Sequence, residues 1–125
     1  MIFIRSLIFF LAMLAITPVY AVACLIIFPV VKAPVRYEFV RGWNITITYL
    51  AKIICHIEYE IKGLENMNAV LDQPAIILSK HQSAWETISF IALFPKQLCF
   101  VFKRELLWIP FFGWALALLL SLIHI

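Results

Sequence analysis

Long apolar stretches in this chain are separated by short polar interruptions, and the spacing of apolar positions assigns each stretch its own element. Ser6 to Val31 is a run of 26 positions without a charged residue. As one straight helix it is about 39 Å long, more than the roughly 30 Å of a bilayer's hydrocarbon core. Pro18 falls near the middle of the run and Pro29 near its end, so a kinked span and a re-entrant helical hairpin both fit the pattern. From Arg36 to Ile54 the period changes. Phe39, Val40, Trp43, Ile47, Leu50 and Ile54 recur at three- and four-residue spacings, which predicts an amphipathic helix. Thr46, Thr48 and the isoleucines of that stretch pull toward a strand. Such a helix suits an interfacial position beside a membrane or a cover over a sheet.

Beyond it the period shortens. His56–Lys62 alternates polar and apolar, the pattern of a half-buried strand, and Gly63 closes it. Pro74-Ala75-Ile76-Ile77-Leu78 is short and apolar with β-branched residues, which predicts a buried strand. Ser83 followed three residues later by Glu86 is a capping-box pattern, so a helix is predicted from about Ser83 to Leu93, stopped by Phe94-Pro95. Leu98–Phe102 reads as a third, buried strand. Strand, strand, helix, strand, helix is the order of an α/β layer. Leu106 to Ile125 again lacks Asp, Glu, Lys and Arg. It fits a second membrane span or, because Pro110 and Gly113 break its first half, a helix of about twelve residues packed on a sheet or dipping into the membrane surface.

Composition adds a solvent to this picture. Hydrophobic residues make up 65% of the chain and charged ones 14%, too apolar for an ordinary soluble domain. A net charge of +3, dispersed along the sequence, is too small for a nucleic-acid footprint. Cys24, Cys55 and Cys99 show no CxxC spacing and read as reduced thiols or small hydrophobes, and Cys55-His56 lacks further ligands at metal spacing, so no metal site is predicted. Arg5 alone precedes the first apolar run, whereas Lys32, Arg36 and Arg41 follow it, which places the C-terminal side in the cytoplasm if the run spans. Val19-Tyr20-Ala21 resembles a signal-peptide cleavage site and Ala21–Cys24 a lipoprotein one, but Leu25-Ile26-Ile27-Phe28 continues apolar beyond both, which favours a retained segment.

The polar break between the second strand and its helix holds the candidate chemistry, His81 and Glu86. On one continuous helix, residues five apart lie about 140° apart around the axis and do not face each other. With His81 before the helix and Glu86 in its first turn, the carboxylate can reach back toward the imidazole, fix its tautomer and leave the other nitrogen as a base. The same spacing also fits an acid that only caps the helix and an ordinary loop histidine. Spacing leaves both open.

Ser79-Lys80-His81-Gln82-Ser83-Ala84-Trp85-Glu86-Thr87 resembles the first motif of the lysophospholipid acyltransferase family, a His, four residues and an acid. Most members carry Asp at the acidic position, and this chain carries Glu86. Phe102-Lys103-Arg104-Glu105-Leu106 with Ile109-Pro110-Phe111-Phe112-Gly113-Trp114 is similar to the family's second motif. The resemblance implies a membrane helix or helical hairpin over residues 1–35, followed over 36–125 by the first half of a mixed α/β acyltransferase domain. It implies transfer of a fatty acyl group from acyl-CoA or acyl carrier protein to the free hydroxyl of lysophosphatidate, giving phosphatidate at the cytoplasmic face of a bacterial inner membrane. No cofactor is implied beyond the thioester donor. His81 would be the base, Glu86 would orient it, and Lys103 with Arg104 would meet the phosphate. Ser83 is expected to cap rather than attack, and Pro110 and Gly113 to shape a turn. The family's Glu-Gly-Thr-Arg-like third motif and its fourth, proline-containing motif have no counterpart. The expectation is therefore an N-terminal half of such an enzyme, with little activity by itself. A catalytically silent member and a small two-span membrane protein are the alternatives.

Overall fold

The computed structural model describes residues 2–69, 73–80, 82–119 and 122–124. The first apolar run forms α1, Ile2–Ile27, which continues through Pro18 although that residue has no N–H to donate. The chain reverses at 28–32, where Pro29 sits, and returns as α2, Ala33–Cys55. Pro34 lies in the first turn of α2, where its lost donor is an orphan in any case. The two helices pack antiparallel: Tyr20 and Phe39 have ring centroids 5.3 Å apart, and Cys55 Sγ lies 4.0 Å from the Arg5 carbonyl oxygen. The apolar run therefore does not fold back on itself at Pro18: it is one helix, and the reversal at its end pairs it with the amphipathic helix predicted after it.

The strand-favouring threonines of α2 are accommodated by side-chain bonds to the preceding turn. Thr46 Oγ1 donates to Gly42 O and Thr48 Oγ1 to Asn44 O, each at 2.8 Å, and Asn44 Nδ2 donates to Val40 O at 2.9 Å. Ile47 and Asn44, with Phe28 in the hairpin turn, are among the most buried side chains. His56 follows α2 in the left-handed region, φ 54°, and its N–H closes on Ala51 O.

α3, Leu64–Ala69, occupies the connection after Gly63. α4, Ala84–Leu93, packs on α2. β1, Phe100–Phe102, leads through Lys103 into a 3-10 helix, Arg104–Trp108, and α5, Phe112–Leu119, packs on that helix and on α1. β2, Leu122–His124, pairs parallel with β1, Phe100 opposite Leu122 and Phe102 opposite His124. The core sits at the hairpin tip, where Cys24, Phe28 and Leu119 are buried against Val31, Phe39 and Ala115. Arg36 ties this junction together. Its Nε donates to Val31 O in the turn and a terminal nitrogen to Leu118 O near the end of α5, both at 2.9 Å. A cation bonding late carbonyls also offsets the negative end of the α5 dipole.

Three expectations are corrected. His56–Lys62 belongs to no ladder among the described residues, and Ile57, Tyr59 and Ile61 are exposed. The predicted buried strand ending at Leu78 forms no strand either, with Ile76 90% and Leu78 94% exposed. Alternation and β-branching say how a segment can pair, but a strand exists only where a neighbour accepts its backbone bonds. The described residues are accordingly mostly helical, and the α/β expectation is met only by the β1–β2 pair. The apolar tail from Leu106 divides into a 3-10 helix, an eight-residue α5 and β2. Since α5 is only about 12 Å long, the second span falls away. Among the described residues α1 is the one helix long and apolar enough to cross a membrane, with mean hydropathy 2.5 in its best window and 11% of that window buried.

Candidate functional site

Ser83 begins the site. It stands in extended backbone, accepts the Trp85 N–H on its hydroxyl at 3.1 Å and caps α4. Glu86, third residue of the helix, answers from the other side of the box. Its Oε2 accepts Ser83 N–H at 3.0 Å and the Ser83 hydroxyl at 3.2 Å, and Oε1 accepts Gln82 N–H at 3.1 Å. Glu86 is thus a cap, as one of the two sequence readings required, and its carboxylate is drawn back onto the residue that follows His81. His81 itself lies outside the described residues. The backbone N–H of Glu86 is the largest cause holding its carboxyl below the usual carboxylate range; the Gln82 and Ser83 bonds act in the same direction, and partial desolvation opposes them. With its hydroxyl occupied by Trp85 and Glu86, Ser83 has the role of a helix cap.

A hollow of about 430 Å³ opens beside Glu86, lined by Trp85, Ser89, Phe90, Leu93, Tyr59 and Met67 among others. It shares Tyr59 and Leu93 with a second hollow of about 710 Å³ between α2, the 56–59 segment and the end of α4. Both volumes fall in the range of small-molecule sites.

Lys103 and Arg104 are exposed where β1 passes into the 3-10 helix, Lys103 preceding its first turn. The turn between the 3-10 helix and α5 fixes their platform. Phe111 is left-handed at φ 62°, and Gly113 is buried with its Cα against the preceding 3-10 backbone. A Cβ there would collide with the Leu107 carbonyl and lie 2.6 Å from Leu106 O. Gly113 therefore shapes the turn, as expected, because only a residue without a Cβ lets α5 approach so closely.

The two motifs rest on different supports. α4 packs on α2, the 3-10 helix on α5, and α5 on α1, and none of the principal packings joins α4 directly to β1. A bond the sequence reading missed bridges part of that separation. Tyr37, buried on α2, accepts the Leu98 N–H on its phenol oxygen at 3.0 Å, just before β1. Burial pushes the Tyr37 phenol up, while the Leu98 bond opposes that shift, so the ring is neutral at physiological pH. No sequence pattern marks this role, since a tyrosine on the inner face of a helix reads as packing. Arg36 is likewise legible in the sequence only as a positive charge after an apolar run.

Residues 58–125, more than half of the chain and including both motifs, match the family model described as Acyltransferase. The chain belongs to the acyltransferase family. A 1-acyl-sn-glycerol-3-phosphate acyltransferase from Pseudomonas aeruginosa is 44% identical over 117 residues, which cover 93% of this chain and 44% of that relative. The chain thus spans less than half the length of the curated relative it matches. No solved structure matches it.

Proposed function

We propose that this acyltransferase sequence serves phosphatidate formation, moving a fatty acyl group from acyl-CoA or acyl carrier protein to the free hydroxyl of lysophosphatidate. The observation that carries the proposal is the Glu86 carboxylate, turned back at the start of α4 onto Gln82, next to His81, within the range that matches the family. The relative's name supplies the substrate class. His81 takes the proton of the acceptor hydroxyl as that oxygen attacks the thioester carbonyl. The imidazolium, stabilised by Glu86, returns the proton to the departing thiolate, so ester and free thiol leave together and no acyl-enzyme forms. Lys103, with Arg104, attracts the phosphate as an exposed cationic pair. The apolar hollow beside Glu86 offers room for an acyl chain.

The site works at the cytoplasmic face of the inner membrane, held there by the hairpin. α1 exposes large apolar side chains along its length, including Phe3, Phe10, Leu14, Val19 and Ile26. α2 runs beside it with Glu38 and Arg41 well inside its ends. A full crossing of the pair would carry those charges into hydrocarbon at about 2.5–3.5 kcal/mol each near the centre. Seating the apolar α1 in the membrane, with the amphipathic α2 at the interface and its charges toward water, avoids that cost.

The test is phosphatidate formation from lysophosphatidate and radiolabelled acyl-CoA in vesicles. It is run on this chain and on the chain extended by the remaining portion of the Pseudomonas aeruginosa relative. Product from either form that disappears with His81→Ala is expected. No product from both forms, or turnover indifferent to His81, overturns the proposal.

A further inference from the structure

We infer that Tyr37 is a positioning residue for Lys103, setting the register of β1 against α2 through its phenol oxygen; the inference rests on the phosphate-binding role proposed for Lys103. Three observations lead there. β1 is three residues long and pairs with β2 alone among the described residues, so its own ladder defines its register weakly. The element that carries Glu86, α4, has its principal packing on α2. The Tyr37 oxygen, in a residue 3% exposed, is a point at which α2 takes hold of the chain entering β1, by a 3.0 Å bond from Leu98 N–H across 61 residues of sequence.

The consequence lies in strand geometry. Leu98 and Lys103 are five residues apart, with Phe100–Phe102 in β1 and Lys103 extended, so at most about 17 Å at roughly 3.3 Å per residue. Extended backbone transmits a shift along its axis with little loss. A slip of one residue would move Lys103 by about 3.3 Å and turn its side chain to the other face of the pair. A cation moved from about 4 Å to about 7 Å from a phosphate loses close to half its Coulomb attraction. The phenol oxygen therefore acts on the reaction at second hand: it holds the strand, and the strand carries the lysine.

Tyr37→Phe keeps the ring and removes the oxygen. Amide exchange of the whole chain in vesicles is the first measurement. Acceleration of about tenfold at Leu98 and Phe100–Phe102, with α4 amides unchanged, is expected. No acceleration, or equal acceleration throughout α2 and α4, overturns the inference, the latter because Tyr37 would then only support the fold. The second measurement is a double-mutant cycle in phosphatidate formation. Tyr37→Phe should raise KM for lysophosphatidate about tenfold with a smaller effect on kcat, and should add less than twofold in a Lys103→Ala background. Additive effects overturn the inference. If neither parent form makes phosphatidate, the functional proposal is what fails, and the exchange measurement still decides whether Tyr37 holds β1.

Discussion

Ser83 and Glu86 share one capping box, and a crossed pair of substitutions separates a cap from a catalytic acid. Ser83→Ala removes the acceptor of the Trp85 N–H at 3.1 Å and the 3.2 Å bond to Glu86, while leaving the Ser83 backbone N–H on the carboxylate. Loss of a serine N-cap costs about 1 kcal/mol, which is roughly a fivefold rise in opening of the first turn of α4. Amide exchange at Trp85 and its neighbours reads that opening directly. Glu86→Gln does the reverse. A glutamine is also a capping-box residue, so its carbonyl can still accept from Gln82 or Ser83 and α4 stays largely formed. The negative charge is gone. If Glu86 orients and stabilises His81, phosphatidate formation falls on the order of 10²- to 10⁴-fold in Glu86→Gln and only severalfold in Ser83→Ala. Equal activity losses in the two variants, tracking the exchange rates, would refute a catalytic part for Glu86 and leave it a cap.

The same pair predicts a pH dependence. The Glu86 carboxyl is held below its ordinary value of 4.5, first by its own backbone N–H and then by those of Gln82 and Ser83. The stability this lends α4 is therefore complete above that ordinary value and is lost as pH falls below it, through the folded value. Protection from exchange in the first turn of α4, taken relative to the intrinsic rate at each pH, should fall on acidification in the parent chain and stay flat in Glu86→Gln. A parent profile as flat as the variant's would show that the carboxylate bonds do not hold the helix.

Other substitutions probe the frame. Gly113→Ala places a methyl against the Leu107 and Leu106 carbonyls and should destabilise by about 1–3 kcal/mol, read as a lowered Tm with α5 amides opening first. Arg36→Ala removes charge-assisted bonds to Val31 and Leu118 and should cost about 1.5–3 kcal/mol, while Arg36→Lys, lacking the fork, should recover only part. His56→Gly relieves a left-handed side chain and should stabilise by about 0.5 kcal/mol after the entropy of glycine is set against it, checked by chemical denaturation in detergent. An alkaline carbonate wash should leave the protein with the membranes, and recovery in the soluble fraction would sink the embedded hairpin.

The longer helices are legible in this sequence and only one of the three expected strands forms, for a reason particular to each. α2 is evident because Phe39, Trp43, Ile47 and Ile54 report a helical period within one stretch, and the competing threonines satisfy themselves on their own preceding turn. α4 is evident because a cap is a local device: Ser83 and Glu86 carry both halves of it three residues apart. The 56–62 and 74–78 segments have the composition of strands, but their pairing depends on backbone elsewhere, which alternation cannot supply. β1 is recognisable from its own residues, whereas β2, its partner, is hidden in an apolar tail that reads as helix.

The candidate site divides along the same line. Glu86 can be placed from spacing, since helix geometry puts the third residue of α4 over its own N-terminus. The supports of Lys103 cannot. They are the close approach of Gly113 to the 3-10 helix, the grip of Arg36 on the end of α5, and the Tyr37–Leu98 bond, the last two of which link residues 82 and 61 positions apart. Each is a contact made by one polar group or one missing methyl, with no periodic signature. Local order thus closes the Ser83–Glu86 cap, and long-range order supports Lys103, so mutations in α1–α2 should disturb the supports of Lys103 while the cap itself stays closed. Because α2 carries α4 directly and reaches the segment entering β1 through Tyr37, the hairpin proposed to anchor the chain is also a frame between the two motifs.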